Sequence, residues 1–273
     1  PLICGIVGPE LSESEVQFIK EFNPWGVIIF DRNCKSKNQL SDLTDALRAI
    51  THDHLPIIID HEGGRVSRIN YSNSIVFKSA RFLGDILEKD IELGSHVLSL
   101  HSKIMALSLR EVGININTIP VLDILSKDES GIIGDRSYSL NKEVATKAGK
   151  IVIESLSANG VAPVIKHIPG HGRARVDSHL DLPIIENSIS ELDDTDFYPF
   201  KRNNNTDLAM TAHIIYKDID NDQPGTLSKK VINDIIRKKI GFNGLIITDD
   251  ISMKAIKISV EDAAVKSLNA GCD

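Results

Sequence analysis

The sequence lacks long hydrophobic runs, closely spaced cysteines and any excess of positive charge. No stretch approaches the roughly 20 consecutive apolar residues that a membrane-spanning helix needs. The 273 residues carry a formal net charge of −7, which is unfavourable for binding nucleic acid or anionic membranes because those partners select basic surfaces. With 41% hydrophobic and 25% charged residues, the composition is that of an ordinary soluble globular protein.

Cysteine is scarce, and its placement indicates the compartment. Cys4, Cys34 and Cys272 are odd in number and lie far apart, without the close spacing of a zinc site or a redox motif. The first eight residues have neither a basic region nor a long apolar core, so we predict no signal peptide. Free thiols in a reducing cytoplasm are the expectation.

Short β-branched runs alternate with longer amphipathic segments along the whole chain. This alternation predicts a parallel sheet covered by helices, and the number of units favours a TIM-type (β/α)8 barrel over an open doubly wound sheet. The predicted strands span residues 2–7, 27–30, 56–59, 114–124, 161–165, 208–211 and 245–248. The predicted helices span about 12–22, 40–50, 90–112, 142–158, 190–200, 228–240 and 260–269. The eighth strand–helix unit is missing from this chain, so we expect residues 1–273 to form one catalytic barrel domain that is incomplete at its C-terminus.

Polar residues are concentrated where the predicted strands end. In a barrel these carboxyl ends converge on one mouth, where such enzymes act, so the pattern predicts a polar pocket. The residues concerned are Asp60, Asp123, Lys166, His167 and Asp249.

The densest of these clusters is KHIPGHG at residues 166–172, followed by Asp177-Ser178-His179. Its proline and glycines forbid a regular helix, so we expect a shaped loop. His167, His171 and His179 could bind a metal, although their spacing is not a specific metal signature. Alternatively, Asp177 and His179 could act together in acid–base chemistry, since side chains two apart point the same way in an extended segment. A surface histidine in a loop is the plainest interpretation of His179.

Asp249 and Asp250 follow the apolar run at 245–247. Asp250 is the better candidate to cap a helix beginning near Ser252, which leaves Asp249 to act as a nucleophile or a metal ligand. Arg68, Arg136 and Lys166 are either surface cations or long donors in the pocket mouth.

Together these motifs closely resemble glycoside hydrolase family 3. The resemblance rests on an ordered set of segments that runs from the first strand to residue 273: DHEGGR at 60–65, PVLD at 120–123, KHIPGHG at 166–172, DSH at 177–179, MTAH at 210–213 and TDDISM at 248–253. More narrowly, the chain resembles the bacterial cytoplasmic β-N-acetylglucosaminidases that recycle peptidoglycan. Residue 61 is His, where the resemblance leads us to expect Gln.

The resemblance implies the roles of the site residues. Asp249 would be the nucleophile that forms a covalent glycosyl-enzyme, and His179, paired with Asp177, would be the proton donor. The residues implied to bind the terminal N-acetylglucosamine are Asp60, Arg68, Arg136, Lys166 and His167. The reaction would need no metal or organic cofactor. The implied substrate is N-acetylglucosaminyl-anhydro-N-acetylmuramic acid, with or without its peptide, and we expect a monomer that binds neither nucleic acid nor membrane.

Three other functions fit the same residues. A glycoside phosphorylase could use them because a histidine repels phosphate less than a carboxylate does. A metal-dependent hydrolase could be built on the three histidines. A catalytically silent sugar-binding barrel is the non-enzymatic alternative.

Overall fold

A computed structural model describes residues 2–125, 133–174 and 182–273 of the chain. Its strands are β1 (Ile3–Gly5), β2 (Gly26–Ile29), β3 (Ile57–Ile59), β4 (Ile116–Asn117), β5 (Ala162–Ile168), β6 (Ile184–Ile185), β7 (Leu208–Thr211), β8 (Ile215–Tyr216) and β9 (Leu245–Ile247). Its α-helices are α1 (Glu13–Phe22), α2 (Lys37–Ile50), α3 (Ala80–Lys89), α4 (Ile91–Glu111), α5 (Lys142–Ala158), α6 (Ile189–Asp194), α7 (Tyr198–Arg202) and α8 (Val260–Ala270). A further helix, Val231–Ile240, has π-helical hydrogen bonding.

Seven of the described strands form one parallel sheet in the order β1-β2-β3-β4-β5-β7-β9. All seven contribute to a single inward-facing apolar cluster, which requires the sheet to curve around it. Its members from the strands are Ile3, Ile28, Ile58, Ile116, Ala162, Val164, Leu208, Met210 and Ile247. The result is a TIM-like half-barrel with β1 and β9 at its two edges, which confirms the seven predicted strands.

The helices cover the outside of the sheet because each has one apolar face. In α2, the predicted stripe of Leu40, Leu43 and Leu47 is buried. The predicted start of α1 is also confirmed. The Ser12 hydroxyl accepts the amide N–H of Glu15, whose carboxylate accepts the N–H of Ser12, forming a capping box.

Several boundaries differ from the prediction. The Lys166-His167-Ile168 segment, predicted as part of a loop, belongs to β5, because Lys166 and Ile168 pair with Met210 and Thr211 of β7, with a shift in register between them. Of the fourth strand predicted over residues 114–124, only β4 is a strand in the structure. An isolated bridge between Val121 and Lys166 follows it. No helix begins near Ser252, where the chain makes a turn instead.

Two features were not predicted at all. Helix α3 precedes α4, and a kinked boundary at Asp90 separates them because Asp90 caps α4 with its side chain. Strands β6 and β8 form a separate two-stranded parallel sheet. Within the described residues, no helix is both long and apolar enough to cross a membrane.

Helix α3 packs so closely on the segment after residue 136 that glycine is required at position 84. A Cβ added to Gly84 would lie 1.7 Å from the carbonyl oxygen of Tyr138, a backbone atom that cannot move aside as a flexible side chain can. We expect Gly84→Ala to lower the free energy of unfolding by about 1 to 3 kcal/mol through overpacking. That loss would reverse the gain of about 1 kcal/mol that alanine brings to an unrestrained helix position. Urea unfolding would measure it.

The control is Asp85→Ala, at an exposed position of the same helix. Its unfolding free energy should stay within about 0.5 kcal/mol of that of the parent protein. A Gly84→Ala protein as stable as this control would show that α3 does not need its close approach.

Candidate active site

Side chains from four strand ends meet at the carboxyl edge of the half-barrel. Asp60 follows β3, Lys166 and His167 lie near the C-terminal end of β5, and Asp249 follows β9. Asp123 follows the bridge that links Val121 to Lys166. Because the strands are parallel, these positions fall on one edge of the sheet, as the sequence predicts.

Lys166 is the centre of this group. Its side chain is 2% exposed, and its Nζ donates to Asp60 Oδ1 at 2.9 Å and to Thr118 Oγ1 at 2.8 Å. Glu62 Oε1 lies 2.7 Å from the same nitrogen. Burial alone would lower the pKa of Lys166, but the two carboxylates outweigh it and raise that pKa, so the ammonium stays charged.

The two carboxylates are ionised for the reciprocal reason. Burial would raise the pKa of Asp60, and Lys166 together with the Thr118 hydroxyl holds it well below its usual range. For Glu62, burial is likewise outweighed by Lys166 and Arg136, which lower its pKa to about 2. Arg136 binds Glu62 through two parallel hydrogen bonds, Nε–Oε2 and Nη2–Oε1, both 2.8 Å long.

His167 is oriented by a fully buried carboxylate. Its Nδ1 lies 2.7 Å from Asp123 Oδ2, and the Asp123 carboxylate also accepts the backbone N–H of His171 at 2.7 Å. Burial would raise the pKa of Asp123, but His167 lowers it, so the carboxylate is ionised and Nδ1 carries a proton. This directs Nε2 of His167 toward the pocket, 3.5 Å from Arg136 Nη2 and 4.0 Å from Asp249 Oδ2.

Asp249 differs from the other carboxylates because it is less fully engaged. Its Oδ1 accepts the N–H of Asp250 at 2.8 Å, and its side chain remains 24% exposed. Burial would raise its pKa, whereas His167 and His213 lower it, so an accessible oxygen is ionised at neutral pH. That is the state that nucleophilic attack requires.

The neighbouring Asp250 has a structural role. Its Oδ1 accepts the N–H and the hydroxyl of Ser252 at 2.8 and 2.6 Å, which closes the turn, and its carbonyl accepts Nε2–H of His213 at 3.0 Å. Asp250 was expected to cap a helix, and in the structure it supports a turn with the same kind of side-chain hydrogen bond.

A cavity of about 770 Å³ opens beside these groups. Asp60, Arg68 and Asp249 line it, together with apolar side chains from β1, β2, β3, β7, β9 and α8. Arg68 places Nη2 3.7 Å from Asp60 Oδ2, and its side chain is 30% exposed. The cavity therefore offers ionised carboxylate acceptors and a guanidinium donor to a polar ligand.

The structure brings together most of the predicted site. The predicted residues that meet here are Asp60, Arg68, Arg136, Lys166, His167 and Asp249. Asp177 and His179 lie outside the described residues. In the part of the chain that the structure describes, no three His, Cys, Asp or Glu side chains are grouped to hold a metal ion.

Sequence reasoning missed several members of the network. Glu62, Thr118 and His213 were not assigned a role, and Asp123 was noted only as a strand-end residue. For Glu62 a signal existed, since it stands two residues after Asp60 and directly precedes a pair of glycines. Thr118 had none, because a threonine after a strand is common.

Comparison with known proteins assigns the family. A model described as the glycosyl hydrolase family 3 N terminal domain matches residues 5–273. The β-hexosaminidase of Methylobacillus flagellatus is 34% identical over 277 residues, covering 100% of this chain and 78% of the relative. The chain belongs to glycoside hydrolase family 3.

Solved family 3 structures share this architecture. NagZ from Neisseria gonorrhoeae, in complex with N-trifluoroacetyl-D-glucosamine, has a TM-score of 0.92 at 32% identity, covering 100% of this chain and 79% of that one. A family 3 β-N-acetylglucosaminidase from a Paenibacillus strain has a TM-score of 0.93 at 31% identity, covering 99% of this chain and 52% of that one.

The buried charges of this family 3 chain generate a stability prediction. Glu62→Gln leaves Lys166 and Arg136 short of one negative charge in a site where the Glu62 side chain is 4% exposed. We expect a loss of about 3 to 5 kcal/mol in unfolding free energy at pH 7, since breaking a buried pair strands its partner. Urea unfolding at several pH values would measure it.

The loss should depend on pH in one direction. The pKa of Glu62 is about 2 in the fold against an ordinary 4.5, so its ionised form stabilises the fold above pH 4.5 and ceases to do so as the pH falls toward 2. The gap between parent and Glu62→Gln should therefore narrow across that window. Glu111→Gln, which removes an exposed partner of Lys37, should have no measurable effect. A gap that stays constant with pH would contradict this account.

Proposed function

We propose that this glycoside hydrolase is a retaining exo-β-N-acetylglucosaminidase that removes terminal N-acetylglucosamine from peptidoglycan fragments. The observation that supports the proposal is the Asp249 carboxylate, which has a lowered pKa, is partly exposed and lines a cavity together with Asp60 and Arg68. The β-hexosaminidase and NagZ relatives support the choice of sugar, because NagZ from Neisseria gonorrhoeae binds N-trifluoroacetyl-D-glucosamine.

In the proposed first step, Asp249 attacks the anomeric carbon and forms a covalent glycosyl-enzyme. The hydrogen bond from the N–H of Asp250 holds Oδ1 and leaves Oδ2 for the attack. Nε2 of His167, 4.0 Å from Oδ2, flanks the position where the sugar would sit. These contacts hold the nucleophile in place without neutralising it.

The leaving oxygen is protonated by His179, with Asp177 fixing its orientation and stabilising its charged form. In the second step His179 removes a proton from a water molecule, whose oxygen attacks the anomeric carbon and displaces the Asp249 carboxylate, releasing N-acetylglucosamine. Support for this pair is the family resemblance and the spacing of the two residues.

Recognition of the sugar falls to Asp60, Arg68, Arg136, Lys166 and His167. The ionised Asp60 can accept hydrogen bonds from two hydroxyl groups, and the partly exposed Arg68 guanidinium lines the same cavity. We propose N-acetylglucosaminyl-anhydro-N-acetylmuramic acid, with or without its peptide, as the substrate. We further propose a cytoplasmic monomer with a (β/α)8 barrel and no metal or organic cofactor; its three cysteines are free thiols.

The nucleophile can be tested by comparing two adjacent aspartates. We expect Asp249→Asn to reduce turnover of an aryl N-acetyl-β-glucosaminide by about three orders of magnitude or more, because the amide cannot form the covalent intermediate. Asp250→Asn keeps an oxygen that can accept from Ser252, so its activity should stay close to that of the parent. If Asp249→Asn were as active as Asp250→Asn, Asp249 would not be the nucleophile.

The proton donor can be tested through the leaving group. His179→Ala should slow the natural disaccharide far more than an activated nitrophenyl glycoside, because a good leaving group needs no protonation. The measurement is kcat for both substrates in parent and variant. Equal losses on both substrates would argue against an acid role.

Analysing the products in phosphate buffer separates the hydrolase from a phosphorylase, since only the latter releases sugar-1-phosphate.

A further inference from the structure

His61 follows the sugar-binding Asp60, and its backbone is held firmly in place. The His61 N–H donates to Asn117 Oδ1 at 3.0 Å, and its carbonyl accepts Nδ2–H of the same asparagine at 2.9 Å. Both residues are buried, at 1% and 0% exposure. The backbone position that carries the imidazole ring is therefore fixed by Asn117 of β4. It does not depend on the conformation of the loop that follows His61.

The ring is a hydrogen-bond acceptor for that loop. Nδ1 of His61 accepts the backbone N–H of Arg68 at 3.2 Å, and the Ser67 hydroxyl lies 3.3 Å from the same nitrogen. A backbone N–H can only donate, so Nδ1 must be unprotonated and the Ser67 hydroxyl must donate as well. Two donors from consecutive residues thus converge on one buried lone pair.

Burial keeps the ring in this accepting state. It lowers the pKa of His61 to about 4, with His101 and Arg68 adding to the effect, so the ring is neutral at pH 7. The ring of Phe77 lies between the two histidines and packs edge-to-face with each. The distance between ring centroids is 5.4 Å to His61 and 5.2 Å to His101. His101 is only partly buried and takes no part in the hydrogen bonds to Ser67 and Arg68, so it shares the contact with Phe77 but not the function of His61 as an acceptor.

Arg68 depends on this anchor because few other contacts fix it. Its guanidinium is 3.7 Å from Asp60 and 5.7 Å from the ring of Phe30, and neither contact is a close hydrogen bond. The side chain is 30% exposed and lines the cavity, so a ligand acceptor can reach its guanidinium. A donor with so few contacts of its own binds a ligand acceptor more tightly when the backbone beneath it is held in place.

We propose that His61 is the positioning residue that sets the affinity of the sugar site, by holding the Arg68 backbone through its Nδ1 so that the Arg68 guanidinium meets an acceptor of the bound N-acetylglucosamine. His61 itself does not touch the substrate. The inference rests on the proposed function, and it assigns the residue at position 61 a part in substrate binding.

The test uses two variants of nearly equal shape. Asn places an amide oxygen where Nδ1 stands and so can still accept from Arg68, whereas Leu has a similar shape and no acceptor. Against an aryl N-acetyl-β-glucosaminide, His61→Leu should raise KM by about tenfold with kcat within about twofold, because the lost contact is made equally in ground and transition states. His61→Asn should recover most of the parent KM.

Two controls separate positioning from general damage. His101→Leu removes the partly buried histidine on the other side of Phe77 and should leave KM unchanged. Arg68→Ala should raise KM, and adding His61→Leu to it should have no further effect, because both changes remove the same interaction.

The possible outcomes distinguish the two proposals. A parent protein with no activity toward the glycoside would overturn the proposed function. An active parent whose KM is unchanged by His61→Leu would overturn only the role of His61, as would a fully additive double variant. If His101→Leu raised KM as much as His61→Leu does, packing against Phe77 would explain the effect and the hydrogen-bond acceptor would not. That result would also overturn the role of His61.

Discussion

The structure of the pocket depends on one buried positive charge, the ammonium of Lys166. Removing such a group from water costs several kcal/mol, and the cost is offset only when opposite charges and hydrogen-bond acceptors surround it closely. Asp60, Glu62 and Thr118 supply them, all within 3 Å. Two carboxylates around one lysine leave a surplus negative charge, which Arg136 balances through Glu62. The charges of the site therefore depend on one another, because removing any one of them leaves a buried neighbour without its partner.

This dependence explains how the site is divided between supporting and reacting groups. Glu62 and Asp123 are almost completely buried and saturated with hydrogen bonds, so they fix Arg136 and His167 but cannot reach a ligand. Asp249, in contrast, keeps an exposed oxygen beside two histidines. An active site must be held in place before the substrate arrives, and here buried charge pairs hold it while one carboxylate remains available for chemistry.

The sequence predicts the frame of this arrangement better than its interior. Alternating strands and helices and the polar strand ends locate the mouth, because parallel strands align their carboxyl ends whatever the residues are. The partners of Lys166, by contrast, lie 106 residues away at Asp60 and 48 away at Thr118. No local pattern encodes which of several distant carboxylates reaches a given ammonium. The extension of β5 through His167 was missed for a similar reason, since Pro169 and Gly170 suggest a loop while pairing with neighbouring strands keeps the segment extended.

His61 illustrates how a substitution can preserve a site while changing its chemistry. What the loop requires at this position is a buried acceptor at a fixed distance from the backbone N–H of Arg68, and more than one residue type can supply it. An imidazole meets the requirement only while it is neutral, and burial beside Phe77 ensures that state. The surrounding fold thus determines the protonation of His61, and His61 in turn determines where Arg68 stands. If Arg68 binds the sugar as proposed, affinity then depends on a residue that does not contact it, because Arg68 has few other contacts to hold it.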